Sequence, residues 1–296
     1  MTLLQFFLLL LGVSFGSFIN VLALRYDPEK PIFSRRILGR SHCSSCGRVI
    51  RFFEMVPVLS FLLLRGKCRI CKTKLSLQYP IVELSSGLSM MFLLNVVSDA
   101  FNFQFLAISG FWVLFLTWAL YLLFGLAILT LIFIAAVDAR TFIIPDQSNL
   151  LIMLIGIATS VCIYFLGSFG PFMGSFVSHY ASLFGFHSSV AGNRIFAVFV
   201  GILFFGLIVV FTKGRGMGMG DVKLAGALGF LLGWPDLILA LALAFITGSI
   251  WSILMMVQKE KKFSSKVPFG PFIVTGTLMI VFFGVDIING YFALFP

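Results

Sequence analysis

With 296 residues the chain has the length of one or two ordinary domains, but 60% of it is hydrophobic, only 11% is charged, and its mean hydropathy is +1.09. Soluble domains carry about 25% charged residues, so this composition excludes a water-soluble globule and makes lipid the main solvent. The net charge of +10 comes from basic residues placed beside apolar spans, as membrane orientation requires, and no nucleic-acid partner is expected.

A spanning helix needs about 20 apolar residues. Met1 leads straight into LLQFFLLLLG with no basic stretch before it, so the first span reads as retained and not as a cleaved signal. Spans are predicted near 3–24, 80–97, 103–137, 148–168, 194–212, 222–233, 236–257 and 269–290. The segment 222–233 is short and glycine-bearing, which suits packing inside the bundle with little lipid contact. The fold class expected is therefore all-α: a polytopic membrane bundle of about eight spans. Three parts are anticipated, namely a first span (1–24), a cytosolic cysteine-rich loop (25–79) and a membrane core (80–296). A second connection, 169–193, is rich in Phe, Gly and Ser, nearly uncharged, and expected in the interface. Of the 21 lysines and arginines only Arg194 falls outside the loops of one face. Eight spans with both termini outside put all the others in the cytosol. Splitting 103–137 into two crossings breaks that agreement, so it counts once.

Four of the five cysteines form Cys43-x-x-Cys46 and Cys68-x-x-Cys71 within one basic loop. Two such knuckles supply four thiolates in the tetrahedral arrangement zinc prefers, and less often iron. A reducing cytosol favours metal over structural disulfides, with a dithiol redox role as the rival. Four cysteine ligands leave no open position, so the expected site is structural and supplies folding energy to a loop with little core of its own. His42 reads as a surface residue beside the first knuckle, and Cys162 as a small core residue.

The chain has 11 acidic residues. Asp27, Glu29 and Glu54 in the loop, Glu260 among lysines and Asp236 after Trp234-Pro235 stand at ordinary places. Asp138 ends the third span and Asp221 follows Gly216-Met217-Gly218-Met219-Gly220 at the start of the sixth, both on the cytosolic face. Carboxylates at membrane depth are costly and usually functional. Two that share a site can polarise a water and protonate a leaving amine, because like charges at close range do not both ionise. Placing Asp138 at a helix C-terminus and Asp221 at a helix N-terminus makes Asp221 the expected base and Asp138 the expected acid. The plain alternatives are an N-cap for Asp221 and an interfacial residue paired with Arg140 for Asp138. Asp146, after Pro145, reads as an N-cap for the fourth span, and Glu83 as a residue snorkelling to the interface. The GMGMG stretch is no phosphate loop, since its lysine comes after the aspartate and no Ser or Thr follows.

Taken together these residues resemble the bacterial type IV prepilin peptidases, a bifunctional leader peptidase and N-methyltransferase family of aspartic enzymes. The resemblance is carried by GSFINV from Gly16 and then Arg25, the cysteine loop from Gly39 to Glu83, DARTFIIPD from Asp138 to Asp146, GMGMGDVK from Gly216 to Lys223, and VPFGPFIVTG from Val267. It covers most of the chain except 97–130 and 169–193, and it departs at Ser44-Ser45, where the family often has a proline. It implies an inner-membrane endopeptidase that cleaves type IV prepilins and type II secretion pseudopilins after a glycine at the cytosolic face. By residue match Asp138 and Asp221 are its catalytic pair. It also implies methylation of the new N-terminal residue from S-adenosylmethionine. The rivals are a peptidase without methyl transfer, an ion-coupled transporter and a membrane thiol oxidoreductase. The aspartates at one face, the absence of a visible inverted repeat and the cytosolic cysteines weigh against the last two.

Overall fold

The computed structural model describes all residues except 1, 30–38, 40, 44, 102–109, 168–173, 185–188, 215, 259–266 and 295–296. Among the described residues there are nine α-helices: α1 (Leu3–Arg25), α2 (Leu59–Leu63), α3 (Gln78–Phe101), α4 (Phe111–Thr141), α5 (Asp146–Gly167), α6 (Val190–Thr212), α7 (Met219–Leu232), α8 (Asp236–Val257) and α9 (Gly270–Ala293). Short 3-10 turns cover Phe52–Glu54 and Ser178–Phe184. All the α-helices except α2 and α7 are long and apolar enough to cross a membrane, which makes seven. The eighth expected span is α7, whose 14 residues reach about 21 Å, short of the roughly 30 Å hydrocarbon core. The stretch 103–137 contributes the single long helix α4 from Phe111 onward, with 102–109 outside the described residues.

The chain forms two compact units, Met1–Phe92 and Leu93–Pro296. In the first, α1 opens on a capping box in which Thr2 and Gln5 satisfy each other's backbone N–H groups. Gly12 and Gly16 let α1 approach α3 closely. A methyl group on Gly12 would stand 2.6 Å from the Ser86 carbonyl oxygen, and one on Gly16 2.7 Å from Glu83 Cα. Lipid offers no hydrophobic drive for helix pairing, so small residues at the seam supply the contact. Asn20 Nδ2 donates to the Tyr79 carbonyl at 3.1 Å. Glu83 is buried and accepts the Val58 N–H at 2.7 Å. This carboxylate anchors the loop to α3 and does not snorkel to the surface, in contrast to the sequence expectation.

The second unit is a bundle in which α4 packs on α5 and α9, α5 and α6 pack on α7, and α8 packs on α9. α7 is the inner helix: from Asp221 to Leu232 only Lys223 and Phe230 escape full burial. It runs antiparallel to α6, with Gly226 against Ile202 and Leu231 against Arg194. α4 ends at Phe142, whose left-handed backbone (φ 56) closes the helix two residues before Ile144-Pro145; Pro145 cannot continue it. Among the described residues of the connection 169–193, Ser175, Phe176 and Val177 are buried, and Phe176 packs its ring edge-on against Phe101 and Phe124.

Candidate active site and metal centre

Asp138 and Asp221 are both buried, at 4% and 8% exposure. They come from the last turn of α4 and the first turn of α7. The glycines before Asp221 make this approach possible: a methyl group on Gly220 would stand 3.2 Å from Ile144 Cβ, in the turn that follows Asp138. The two carboxylates lie within electrostatic reach of each other. Asp221 Oδ2 accepts the Gly218 N–H at 3.2 Å, bending back to the start of its own helix. Asp138 Oδ2 accepts the Gly270 N–H at 2.9 Å, from the first residue of α9.

This last bond corrects one expectation. Asp138 does end α4, but the N-terminus of α9 meets it there, so each carboxylate faces a helix N-terminus. Helix ends therefore do not divide the pair into an acid and a base. Asp146 is the first residue of α5, and its carboxylate pairs with Lys223 Nζ at 2.8 Å. Both side chains are largely exposed, so the pair is worth at most about 1 kcal/mol and serves chiefly to join the first turns of α5 and α7. Phe269, just before α9, packs against Phe205 of α6 at 6.0 Å and Phe245 of α8 at 4.9 Å.

In the first unit the two knuckles share one geometry. Cys43 N–H bonds to Arg48 O and Gly47 N–H to Cys43 O, while Cys68 N–H bonds to Thr73 O and Lys72 N–H to Cys68 O. Gly47 and Lys72 both take positive φ, and the pairs His42–Val49 and Lys67–Lys74 close the turns as short antiparallel bridges. The four sulfurs lie within 4.8 Å of one another, with Cys43 and Cys71 Sγ 3.7 Å apart. A tetrahedron of 2.3 Å Zn–S bonds has edges of about 3.8 Å, so the four sulfurs are gathered closely enough to suit a zinc ion. The Thr73 hydroxyl and amide bring Cys71 down to about 6, and the Cys46 and Ser45 amides lower Cys43. Cys46 is pushed up to about 11, the Arg48 amide notwithstanding, by its crowded thiol neighbours. A bound cation relieves that crowding. Glu54 joins the knuckles: it bonds Arg48 and the Arg51 N–H and lies 3.7 Å from Arg69.

Two polar features escaped the sequence. Asp236 is fully buried and accepts the Ser175 hydroxyl at 2.7 Å and the Phe176 N–H at 2.8 Å. It is within electrostatic reach of Arg194, which is also buried and donates to Leu231 O at 2.9 Å. The second is Gly270. Its signal, a glycine between Phe269 and Pro271, was visible, but its partner lies 132 residues away.

Fold and site thus define a multi-pass membrane protein with a buried carboxylate pair and a separate tetracysteine centre. Residues 10–97 match the family model of the bacterial peptidase A24 N-terminal domain, and residues 125–253 that of the type IV leader peptidase family. A prepilin leader peptidase/N-methyltransferase of Pseudomonas aeruginosa is 30% identical over 302 residues, covering 96% of this chain and 91% of that protein. Proteins of the same name from Burkholderia pseudomallei (29% over 299 residues, 94% and 85% covered) and Legionella pneumophila (30% over 255 residues, 86% and 76% covered) are also similar. No solved structure matches the chain. The chain belongs to the type IV leader peptidase family.

Proposed function

We propose that the protein removes the leader from type IV prepilins and pseudopilins after a glycine, at the cytosolic face of the bacterial inner membrane, and then methylates the new N-terminal amine. The observation that carries the peptidase reading is the pair Asp138 and Asp221: buried, drawn from distant motifs, within electrostatic reach, and each held by one backbone N–H. The names of the relatives support the substrate and the second activity. One carboxylate takes a proton from the attacking water while the other, protonated, gives its proton to the leaving amine. The pair acts as a unit, with the proton shared between them.

Orientation follows from the basic loops, which belong in the cytosol with both termini outside. Although short, α7 carries the chain from the aspartate end of the second unit back to the Arg194 end, which supports counting it as a crossing shielded from lipid. Cys43, Cys46, Cys68 and Cys71 would hold a zinc ion with no open position, a structural role. S-adenosylmethionine, when bound, supplies the methyl group as a sulfonium.

The test is purified protein with a prepilin and labelled S-adenosylmethionine, scoring cleavage and methyl incorporation separately. Asp138→Asn and Asp221→Asn should each abolish cleavage in a folded protein, since neither amide can move the required proton. Asp138→Asn should still methylate a pre-cleaved pilin. Near-normal cleavage by either variant refutes the assignment.

A further inference from the structure

We infer that Gly270, in the Pro268-Phe269-Gly270-Pro271 turn that opens α9, is a positioning residue for Asp138. Its N–H fixes one carboxylate oxygen, and its missing side chain leaves the space that oxygen occupies. The inference rests on the reading of Asp138 as one of the catalytic pair.

In the first turn of α9, Pro271 has no N–H, and the Phe272 and Ile273 N–H groups both bond to Phe269 O. The Gly270 N–H is the donor of that turn aimed at Asp138, at 2.9 Å. The steric fit is as tight as the bond. A methyl group at Gly270 would stand 2.6 Å from Asp138 Oδ2, 3.1 Å from Cγ and 3.2 Å from Cβ. Side-chain carbons essentially never come that close to an oxygen. Asp138 is buried on α4, so its carboxylate could make room only by turning away from Gly270, and so out of its set against Asp221.

The turn itself is not free to yield. Phe269 is held between Phe205 and Phe245, and Gly248 of α8 packs against the rings of Phe269 and Phe272. Thus the orientation of Asp138 is set by α9, a helix that supplies no carboxylate to the pair, through packing on α6 and α8.

Gly270→Ala tests this beside Gly276→Ala. Gly276 lies in the same helix and is packed as tightly, with its added methyl 2.2 Å from the Ala240 carbonyl oxygen, but it does not touch Asp138. Misplacing a reacting group by about 1 Å costs on the order of 100-fold in rate. Gly270→Ala should therefore lower the kcat of cleavage about 100-fold with KM nearly unchanged, while methylating pre-cleaved pilin at the native rate. Gly276→Ala should lower the melting temperature with no selective loss of kcat. If Gly270→Ala does not fold, glycolic acid placed at position 270 by cell-free translation removes the N–H and adds no bulk; it should lower kcat at least tenfold, as loss of a hydrogen bond to a charged group does. The inference is overturned by a kcat within about twofold of native in Gly270→Ala, or in the ester if that is the form that folds. It is also overturned if methylation and melting temperature fall in step with kcat. Asp138→Asn is run in parallel: if it cleaves normally, the reading of the pair fails, and that outcome is distinguishable from a failure at Gly270.

Discussion

Asp236→Asn should destabilise the second unit without touching the chemistry. Asp236 is completely buried, and both its oxygens are used, by the Ser175 hydroxyl and the Phe176 N–H. An amide keeps its oxygen on the Phe176 N–H and turns its NH2 to the Ser175 hydroxyl, which then accepts instead of donating, so two bonds to a charge become two neutral ones. It also removes a charge within electrostatic reach of buried Arg194. Hydrogen bonds to a charged group are worth about 1.5–3 kcal/mol, which sets the scale of the loss. At about 2–4 °C per kcal/mol for a unit of 150–250 residues, the melting temperature should fall by roughly 3–12 °C. The aspartate pair lies at the other end of α7, about 21 Å away along the helix, so cleavage by folded protein should stay near native at low temperature. Tryptophan fluorescence during heating of detergent-purified protein measures the loss, with Trp234 as a neighbouring reporter. Adding Arg194→Met should restore part of it, because the buried cation that loses its nearby counter-charge is then gone. Melting of Asp236→Asn within about 2 °C of native would refute the reasoning.

Elemental analysis should find about one zinc per chain, since four thiolates complete a tetrahedral site. The double variant Cys68→Ser/Cys71→Ser should lose that zinc and lower methylation of a pre-cleaved pilin at least as much as it lowers cleavage; normal methylation would separate the loop from methyl transfer. Glu54 is held below the usual carboxylate range, first by its bond to Arg48 and then by the Arg51 N–H. Its contribution to the loop is therefore present above the ordinary carboxylate pKa and lost as pH falls through the lowered folded value. Protease nicking of the loop should accelerate on acidification in that range, and Glu54→Gln should show the faster nicking already at neutral pH.

Much of this protein was legible from its sequence because membrane solvent imposes coarse rules. Apolar runs of spanning length, basic loops on one face and rare acids at span ends located the helices and singled out Asp138 and Asp221. The C-x-x-C spacing gathered four sulfurs because each knuckle is a local turn. What the sequence could not reach depends on contacts between distant segments. The short, glycine-bearing run of α7 suggested packing inside the bundle, but not its neighbours: its 14 residues are sheltered between α5 and α6, where helix packing and not lipid sets the length. Asp236 looked like an ordinary helix-start acid because nothing near it in sequence reveals Ser175, Phe176 and Arg194 closing over it. The electrostatic setting of Asp138 was read from its own helix end alone. It also depends on burial and on the N–H of a glycine 132 residues away, because a helix dipole and an N–H donor act through space, and the packing of the bundle decides where they point.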